Sequence, residues 1–497
     1  MTKQQRLVLV VCILASFVAF LDGAIVNVAL PAIRDDLGGG LSAQQWVVDA
    51  YLLTLGSFIL IAGSLSDLLG RKKILGLGLL GFGVASLLCA LAPTSGSLIA
   101  FRALQGVAGA LLVPSSLALI ISTFSGPAQG KAVGTWTAWT GISFIIGPLL
   151  GGILVDAASW RWIFAINVLP IAVTLYLMRG VKADKKAQKG MAVDWWGALL
   201  CALGLGGPVF ALIEQPRYDW GSPLIYLPLA LGLAIFAGFL VYEYKSRHPM
   251  LPLGIFRNHN FSVGNVATLG IYAGLSVATF LIVVFLQQVS GYSALAAGLS
   301  ILPVTIIMFV LSPRFGALSA KYGPRLFMGV GPIIAGIGFL MMLRVGADVN
   351  YWTRLFPAVL VFGLGLSVTV APLTAAILGD VPKEQAGIAS AVNNAVARVA
   401  GLLAIAAVGA IVALQFGHTL DKLCSAASAD ALTSAKQAPL VITPPKPYQH
   451  NAVFKGALKQ ASVSAFHAGM IATAGLVIAG GVVSLVGIRN PQRRETA

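Results

Sequence analysis

The sequence predicts an all-α polytopic membrane protein of fourteen transmembrane helices, arranged as two six-helix bundles with two further spans inserted between them. Three observations predict this. The 497 residues are 58% hydrophobic and only 10% charged, against about 25% charged in soluble domains. Apolar runs of the ~20 residues needed to cross ~30 Å of hydrocarbon recur along the whole chain. A charged pattern also occurs twice, 253 residues apart, as Gly63-Ser-Leu-Ser-Asp67-Leu-Leu-Gly70-Arg71-Lys72-Lys73 and Gly316-Ala-Leu-Ser-Ala320-Lys321-Tyr-Gly323-Pro-Arg325. Each copy lies between two apolar runs, the mark of a duplicated helical bundle.

The spans fall at about 7–30, 44–62, 74–93, 97–120, 131–156, 162–180, 194–213, 223–243, 262–287, 294–315, 327–346, 354–378, 386–415 and 466–488. The first run is too long for the apolar core of a signal peptide and reads as a spanning helix. Residues 1–180 make the N-terminal bundle. Residues 181–261 hold a loop with four lysines and the two inserted spans, and 262–497 make the C-terminal bundle. The stretch 416–465 is rich in Ala, Ser, Lys and Pro and reads as a long irregular external loop. Val113-Pro114-Ser-Ser in span four resembles Ala371-Pro372-Leu-Thr in span twelve, a second trace of duplication.

A net charge of +16 raises the question of nucleic acid, but the basic residues sit in short loops between apolar segments. With the N-terminus inside, 21 of the 33 Lys and Arg fall in cytoplasmic segments and 10 in external ones. That bias predicts cytoplasmic N- and C-termini, and the partner it implies is the lipid bilayer, with its anionic headgroups, rather than nucleic acid. Cys12, Cys89 and Cys201 lie in apolar runs and Cys424 lies alone, so neither a disulfide framework nor a metal site is predicted.

Ionisable groups inside spans are costly and usually functional. Clear of their ends, the spans so drawn contain Asp22, Asp49, Arg102 and Arg398. At 1.5 Å per residue, Asp22 lies roughly 12 Å from the outer face and Asp49 and Arg102 roughly 8 Å. Charges of opposite sign therefore share one layer, and pairing is expected. The group is either a proton relay, loading and releasing as the charges separate, or a static buried ion pair that fixes helix register. Arg398 has no acidic partner in the C-terminal spans and meets a substrate anion, neutral polar groups or backbone carbonyls.

In the doubled pattern Asp67 and Arg71 are spaced to pair along one helical turn, with Gly63 and Gly70 allowing close approach or a positive φ. Span five carries Gly134, Ala138, Gly141, Ile145, Pro148 and Gly152 on one face and adds the pair Gly147 and Gly151, so close helix approach along this stripe is expected. Arg102, Gln105, Gly106 and Gly109 share a face of span four. Trp136 and Trp139 lie opposite the span-five stripe and either line a cavity or face lipid.

These residues resemble the major facilitator superfamily, in particular its fourteen-span drug:proton antiporters. The resemblance rests on the doubled loop, on Leu21-Asp22-Gly-Ala-Ile-Val-Asn27-Val-Ala-Leu-Pro31, on Trp46-Val-Val-Asp49-Ala-Tyr51 and on Arg102-x-x-Gln105-Gly106. It continues in Gly141-x5-Gly147-Pro148-x-x-Gly151-Gly152, Trp160-Arg-Trp-Ile-Phe164-x-Ile-Asn167, Leu253-x-x-Phe256-Arg-Asn and Gly387-Ile-Ala-Ser-x-Val-Asn393-Asn394. It implies export of a small hydrophobic or amphipathic compound against proton influx by alternating access. The protein would be a monomer in the plasma (inner) membrane, with no cofactor beyond the proton gradient. Asp22 would couple protons with Asp49 as a second site, and Arg102 would tune the coupling. Gly63, Asp67, Gly70, Arg71 and Arg325 would form the cytoplasmic gate. Gly141, Gly147, Pro148, Gly151 and Gly152 would seal the outer side. Asn27, Gln105, Trp136, Trp139, Asn393, Asn394 and Arg398 are the candidates for a substrate cavity. Export of an endogenous lipid, siderophore or pathway product is the alternative, and a non-transporting sensor is disfavoured by the intact Asp22. The sequence has no phosphate-binding loop, His-rich cluster or nucleophile elbow, so neither an enzyme nor an ATP-driven pump is expected. Two departures stand out. Ala320 replaces the acid of the first loop copy, and Gly-Ala follows Asp22 where a Thr is common.

Overall fold

The computed structural model describes residues 1–182, 193–382, 386–424, 427–445 and 448–490. Every regular element among them is a helix. Among the described residues, thirteen helices are long and apolar enough to cross a membrane, and the shorter apolar segment Trp162–Met178 stands where the sequence places its sixth span. The chain divides into two compact units, Met1–Pro252 with Gly291–Leu299, and Leu253–Ser290 with Ser300–Ala497.

In the first unit, α1 (Lys3–Leu37) opens with a capping box in which Thr2 and Gln5 satisfy each other's backbone N–H. It packs on α5 (Pro127–Ala157) and α4 (Ser95–Thr123), while α2 (Leu41–Leu69) and α3 (Arg71–Ala90) pack on α4. The sixth span is broken into α6 (Trp162–Ala165) and α7 (Val168–Met178), with Ile166 and Asn167 between them. The inserted spans form a hairpin, α8 (Trp195–Tyr218) against α9 (Pro223–Lys245), and α8 lies on α2. Only 17% of the most apolar window of α9 is buried, so most of its leucines face outward, as lipid contact requires, while Phe239 is buried.

The second unit begins with α10 (His259–Val277), which runs through a π turn at Ala278–Ile282 into α11 (Val283–Gln288). There follow α12 (Ala294–Tyr322), α13 (Pro324–Met341), α14 (Phe356–Gly379), α15 (Ala386–Leu423), the short α16 (Ala429–Lys436) and α17 (Ala452–Gly487). Of α12, the first six residues belong to the first unit and the rest to the second.

The duplication is visible in one turn. Gly70, at φ +96°, is the single residue between α2 and α3, and Gly323, at φ +88°, is the single residue between α12 and α13. Such φ values suit glycine alone among common residues, and they explain why the second copy keeps this glycine while losing the acid. The charged pattern is therefore not a loop. Residues 63–69 complete the last turns of α2, and nothing lies within 4 Å of a β-carbon built on Gly63, so no close approach occurs there. The side chain of Asp67 and the lysines at 185, 186 and 189 lie outside the described residues.

Two further expectations are corrected. The external stretch 416–465 is mostly helical, because α15 runs on to Leu423 and α17 starts at Ala452. Alanine favours helix more than any other residue, and Ala452, Ala457, Ala461 and Ala465 recur through the α17 extension, whereas the α15 extension at 416–423 has none. They are tied together by Gln415 Nε2 donating to Ser464 Oγ (2.9 Å). The set of intramembrane charges is also larger than the sequence spans suggest. Helix α8 continues past 213, which brings Glu214 inside it, and α9 runs on to Lys245, so that Glu243, the last residue of the span drawn at 223–243, lies within the helix.

Candidate functional site

Five helical segments converge on Asp22. Its carboxylate sits on α1 at 0% exposure, opposite Arg102 of α4 at 1%. Arg102 Nη1 donates to Asp22 Oδ2 (2.6 Å) and also contacts Gln105 Oε1 (2.6 Å). Gln105 Nε2 donates to Asp22 Oδ1 (2.8 Å) and Ser86 Oγ of α3 (2.9 Å). Asn167, at the break between α6 and α7, adds an Nδ2 donor to Asp22 Oδ1 (3.1 Å). Spacing i, i+3 puts Arg102 and Gln105 on one face, as the sequence requires. The break explains the short sixth span, because it lets an amide reach inward from an otherwise apolar helix.

Arg102 is held from α2 as well. Its Nε donates to Val47 O (3.0 Å), and its guanidinium lies 4.3 Å from the Tyr51 ring centroid and 5.7 Å from that of Phe164. Gly106, one turn along α4, leaves no room for a β-carbon, which would meet Tyr51 O at 2.4 Å. This backbone-to-backbone seat between α2 and α4 places the guanidinium over the ring.

Asp49 does not join the pair. It is fully buried on α2, and neither carboxyl oxygen has a hydrogen-bond partner. The expectation of one paired layer thus holds for Asp22 and Arg102 and is corrected for Asp49. Helix spacing explains the difference: Arg102 takes the carbonyl of Val47, two residues before Asp49, and so reaches α2 on a different face from the carboxyl.

Span five is corrected in its details. Gly134 and Gly141 face open space, so the stripe does not pack along its length. Gly147 and Gly151 abut α1, where added β-carbons would meet Ala24 Cβ at 2.7 Å and Ile25 Cγ1 at 2.6 Å. Gly152 instead meets the first turn of α12, with Leu295 Cα only 2.3 Å from such a β-carbon. One at Gly298 would lie 2.8 Å from Pro148 O. One turn beyond Gly152, Asp156 takes the backbone N–H of Ala294 on Oδ1 (3.0 Å) and of Leu295 on Oδ2 (2.9 Å), an anionic cap for α12.

The remaining candidates are dispersed. Gln105 belongs to the Asp22 cluster. Trp136 is buried and donates to Ser16 Oγ (3.0 Å), whereas Trp139 is 51% exposed. Asn27 keeps a buried Oδ1 without a donor. In the second unit Asn393 donates to Asn265 Oδ1 (3.1 Å) and Thr268 Oγ1 (2.9 Å), while Asn394 and Arg398 are half-buried. Arg325 Nε donates to Leu485 O (2.5 Å), tying α13 to α17. Glu214, missed in the sequence, accepts from Ser42 Oγ and Trp46 Nε1 (2.8 Å each) and clasps the inserted hairpin to α2. Its signal was an acid one residue beyond the drawn end of an apolar run.

A duplicated set of spanning helices with a buried acid–guanidinium cluster in one bundle defines an integral membrane transporter. Residues 12–405 match the Major Facilitator Superfamily, and the chain belongs to that superfamily of transporters, which are not enzymes. Among curated relatives it is 34% identical to the puromycin resistance protein pur8 of Streptomyces alboniger over 80% of each chain. It is 31% identical to the multidrug resistance protein Stp of Mycobacterium tuberculosis, over 90% of this chain and 84% of that one. To the tetracenomycin C resistance and export protein of Streptomyces glaucescens it is 32% identical over 82% of this chain and 76% of the relative. In fold it is similar to a bacterial homologue of the human lysosomal transporter Spinster, with a TM-score of 0.70 at 15% identity over 98% of both chains.

Proposed function

We propose that this protein is a proton-driven exporter of hydrophobic or amphipathic compounds, antibiotics among them. It works by alternating access, as a monomer of the plasma (inner) membrane with both termini cytoplasmic and no bound cofactor. The observation that carries the reading is the Asp22–Arg102 pair with its amide partners. A charge pair is an expensive way to fix helix register where hydrophobic packing would serve. The resistance and export proteins to which the chain is similar support the substrate class and the outward direction.

In the proposed cycle Asp22 is the coupling carboxylate. As an anion it has donors from Arg102, Gln105 and Asn167. A proton reaching it cancels the charge that holds Arg102, and the guanidinium swings toward α2, where Val47 O and the Tyr51 face already hold part of it. Asp49, buried without a donor, carries a proton in the state described and passes it on when Arg102 moves. Asp67 and Arg71 latch the cytoplasmic side, and Pro148 and Gly152 seal the outer one. Dye efflux from cells expressing the chain tests this. Efflux should stop with a protonophore and with Asp22→Asn at wild-type protein level. Efflux that persists under both conditions would refute proton coupling through Asp22.

A further inference from the structure

The first unit contains a second buried acidic site, remote from the Asp22 cluster, where the inserted hairpin begins and ends. Asp194 caps α8, its Oδ1 accepting from Gly197 N (2.8 Å) and from the Tyr242 hydroxyl of α9 (3.0 Å). Glu243, in the last turn of α9, accepts from Leu251 N on Oε2 (2.9 Å). Both side chains are more than nine-tenths buried, Asp194 at 8% and Glu243 at 2% exposure. The other oxygen of each, Asp194 Oδ2 and Glu243 Oε1, has no donor.

Those two oxygens face the same bare Cα. A β-carbon on Gly197 would lie 2.4 Å from Glu243 Oε1 and 2.8 Å from Asp194 Oδ2. The carboxyls are within hydrogen-bonding reach of each other. Among the described residues, the titratable groups facing them are the Tyr242 hydroxyl and the Cys201 thiol, one turn along α8. Among the described residues no Lys, Arg or His forms an ion pair with either acid, and none contains a cluster of three or more metal-ligating side chains.

Two carboxylates this close and buried, with no ion-pair partner among the described residues, repel strongly. One proton removes the conflict, because the O–H of one carboxyl then donates to the carboxylate of the other, a strong charge-assisted bond. We infer that Asp194 and Glu243 together bind one exchangeable proton between Asp194 Oδ2 and Glu243 Oε1, and that this proton fastens the two ends of the inserted hairpin. The remaining negative charge is met by the Gly197, Leu251 and Tyr242 donors. The proton belongs to the pair, not to either residue, and the site is separate from the coupling carboxylates.

Infrared difference spectroscopy of the purified full chain across a pH titration tests this. One protonated-carboxyl band should vanish in Glu243→Gln and in Asp194→Asn, where an amide N–H replaces the shared proton and the hairpin still folds. Gly197→Ala should remove the same band by wedging a methyl between the oxygens, although both acids remain. Asp22→Asn should leave it in place. The thermal midpoint of the wild type should also fall as pH rises and the pair gives up its proton, because the unfolded chain holds fewer protons there than the folded one. That decline should be absent in Glu243→Gln. A carboxyl band that survives in Glu243→Gln and Asp194→Asn, or a pH decline unchanged by them, would overturn the inference. So would sodium ions stabilising the wild type and not Glu243→Gln at fixed pH, since the pair would then hold a metal cation.

Discussion

A guanidinium at 1% exposure needs its charge matched, and Arg102 matches it with a carboxylate, an amide oxygen, a carbonyl and two aromatic faces. Removing one member of such a pair leaves the other charge buried and typically costs about 3–5 kcal/mol. Arg102→Ala should therefore lower the amount of protein in the membrane, measured by immunoblot, as well as its activity. Arg102→Lys should fold, because charge and stem remain. It should still lose drug efflux, because a single ammonium cannot hold Asp22, Gln105 and Val47 at once in the geometry of the planar fork. Asp49→Asn should reach wild-type abundance, since Asp49 has no cation to strand, and should slow efflux; full efflux would remove Asp49 from the relay. The sequence revealed Asp22, Asp49 and Arg102 because charge inside an apolar run is conspicuous. Gln105 and Asn167 were harder to assign: both stood out as polar residues in recurring patterns, but helix spacing does not say which neighbouring helix an amide meets. Asp194 and Glu243 were invisible for the opposite reason, sitting at span ends where a carboxylate looks solvated.

At the scale of elements, α5 separates two jobs that its glycine stripe merges in the sequence. Gly151 faces α1 within the bundle, whereas Gly152 faces the first turn of α12. Overpacking costs about 1–3 kcal/mol, and that much bias shifts a two-state equilibrium about 5–150-fold. Gly152→Ala should spend it on the contact with α12 and move the protein away from the state described here, raising the reactivity of a cysteine placed at Ala296 toward a membrane-impermeant maleimide. Gly151→Ala should spend it on the α1–α5 seam, lowering thermal stability with little change in that reactivity. Equal effects of the two substitutions would mean that the stripe is ordinary packing throughout. The hairpin α8–α9 shows the limit of reading elements from hydropathy. Its existence and length were legible, but its seat on α2 through Glu214, Ser42 and Trp46 was not, because no periodicity encodes which helix a peripheral span chooses.

For the whole molecule, the charge bias predicts that both termini face the cytoplasm. All four native cysteines are buried, so single added cysteines report topology against a quiet background. A cysteine at Ser434 in α16 should label on intact cells and one at Thr2 only after permeabilisation; the reverse pattern would invert the proposed direction of transport. The duplication was legible as a repeated charged pattern, and it survives in the structure as two glycine turns. The acid of the first copy is absent from the second, so the two copies share a turn without sharing its charge. The central claim is that one buried carboxylate ties substrate movement to proton movement. Its most direct test is the purified chain in proteoliposomes carrying a pH-sensitive dye, comparing wild type with Asp22→Asn. The wild type should concentrate a lipophilic substrate down an imposed pH gradient while the lumenal pH shifts. Asp22→Asn should still exchange substrate at equal concentrations but should neither concentrate it nor move protons. If Asp22→Asn concentrates substrate as the wild type does, with the same proton flux, Asp22 is a structural ion-pair partner and the coupling mechanism proposed here is wrong.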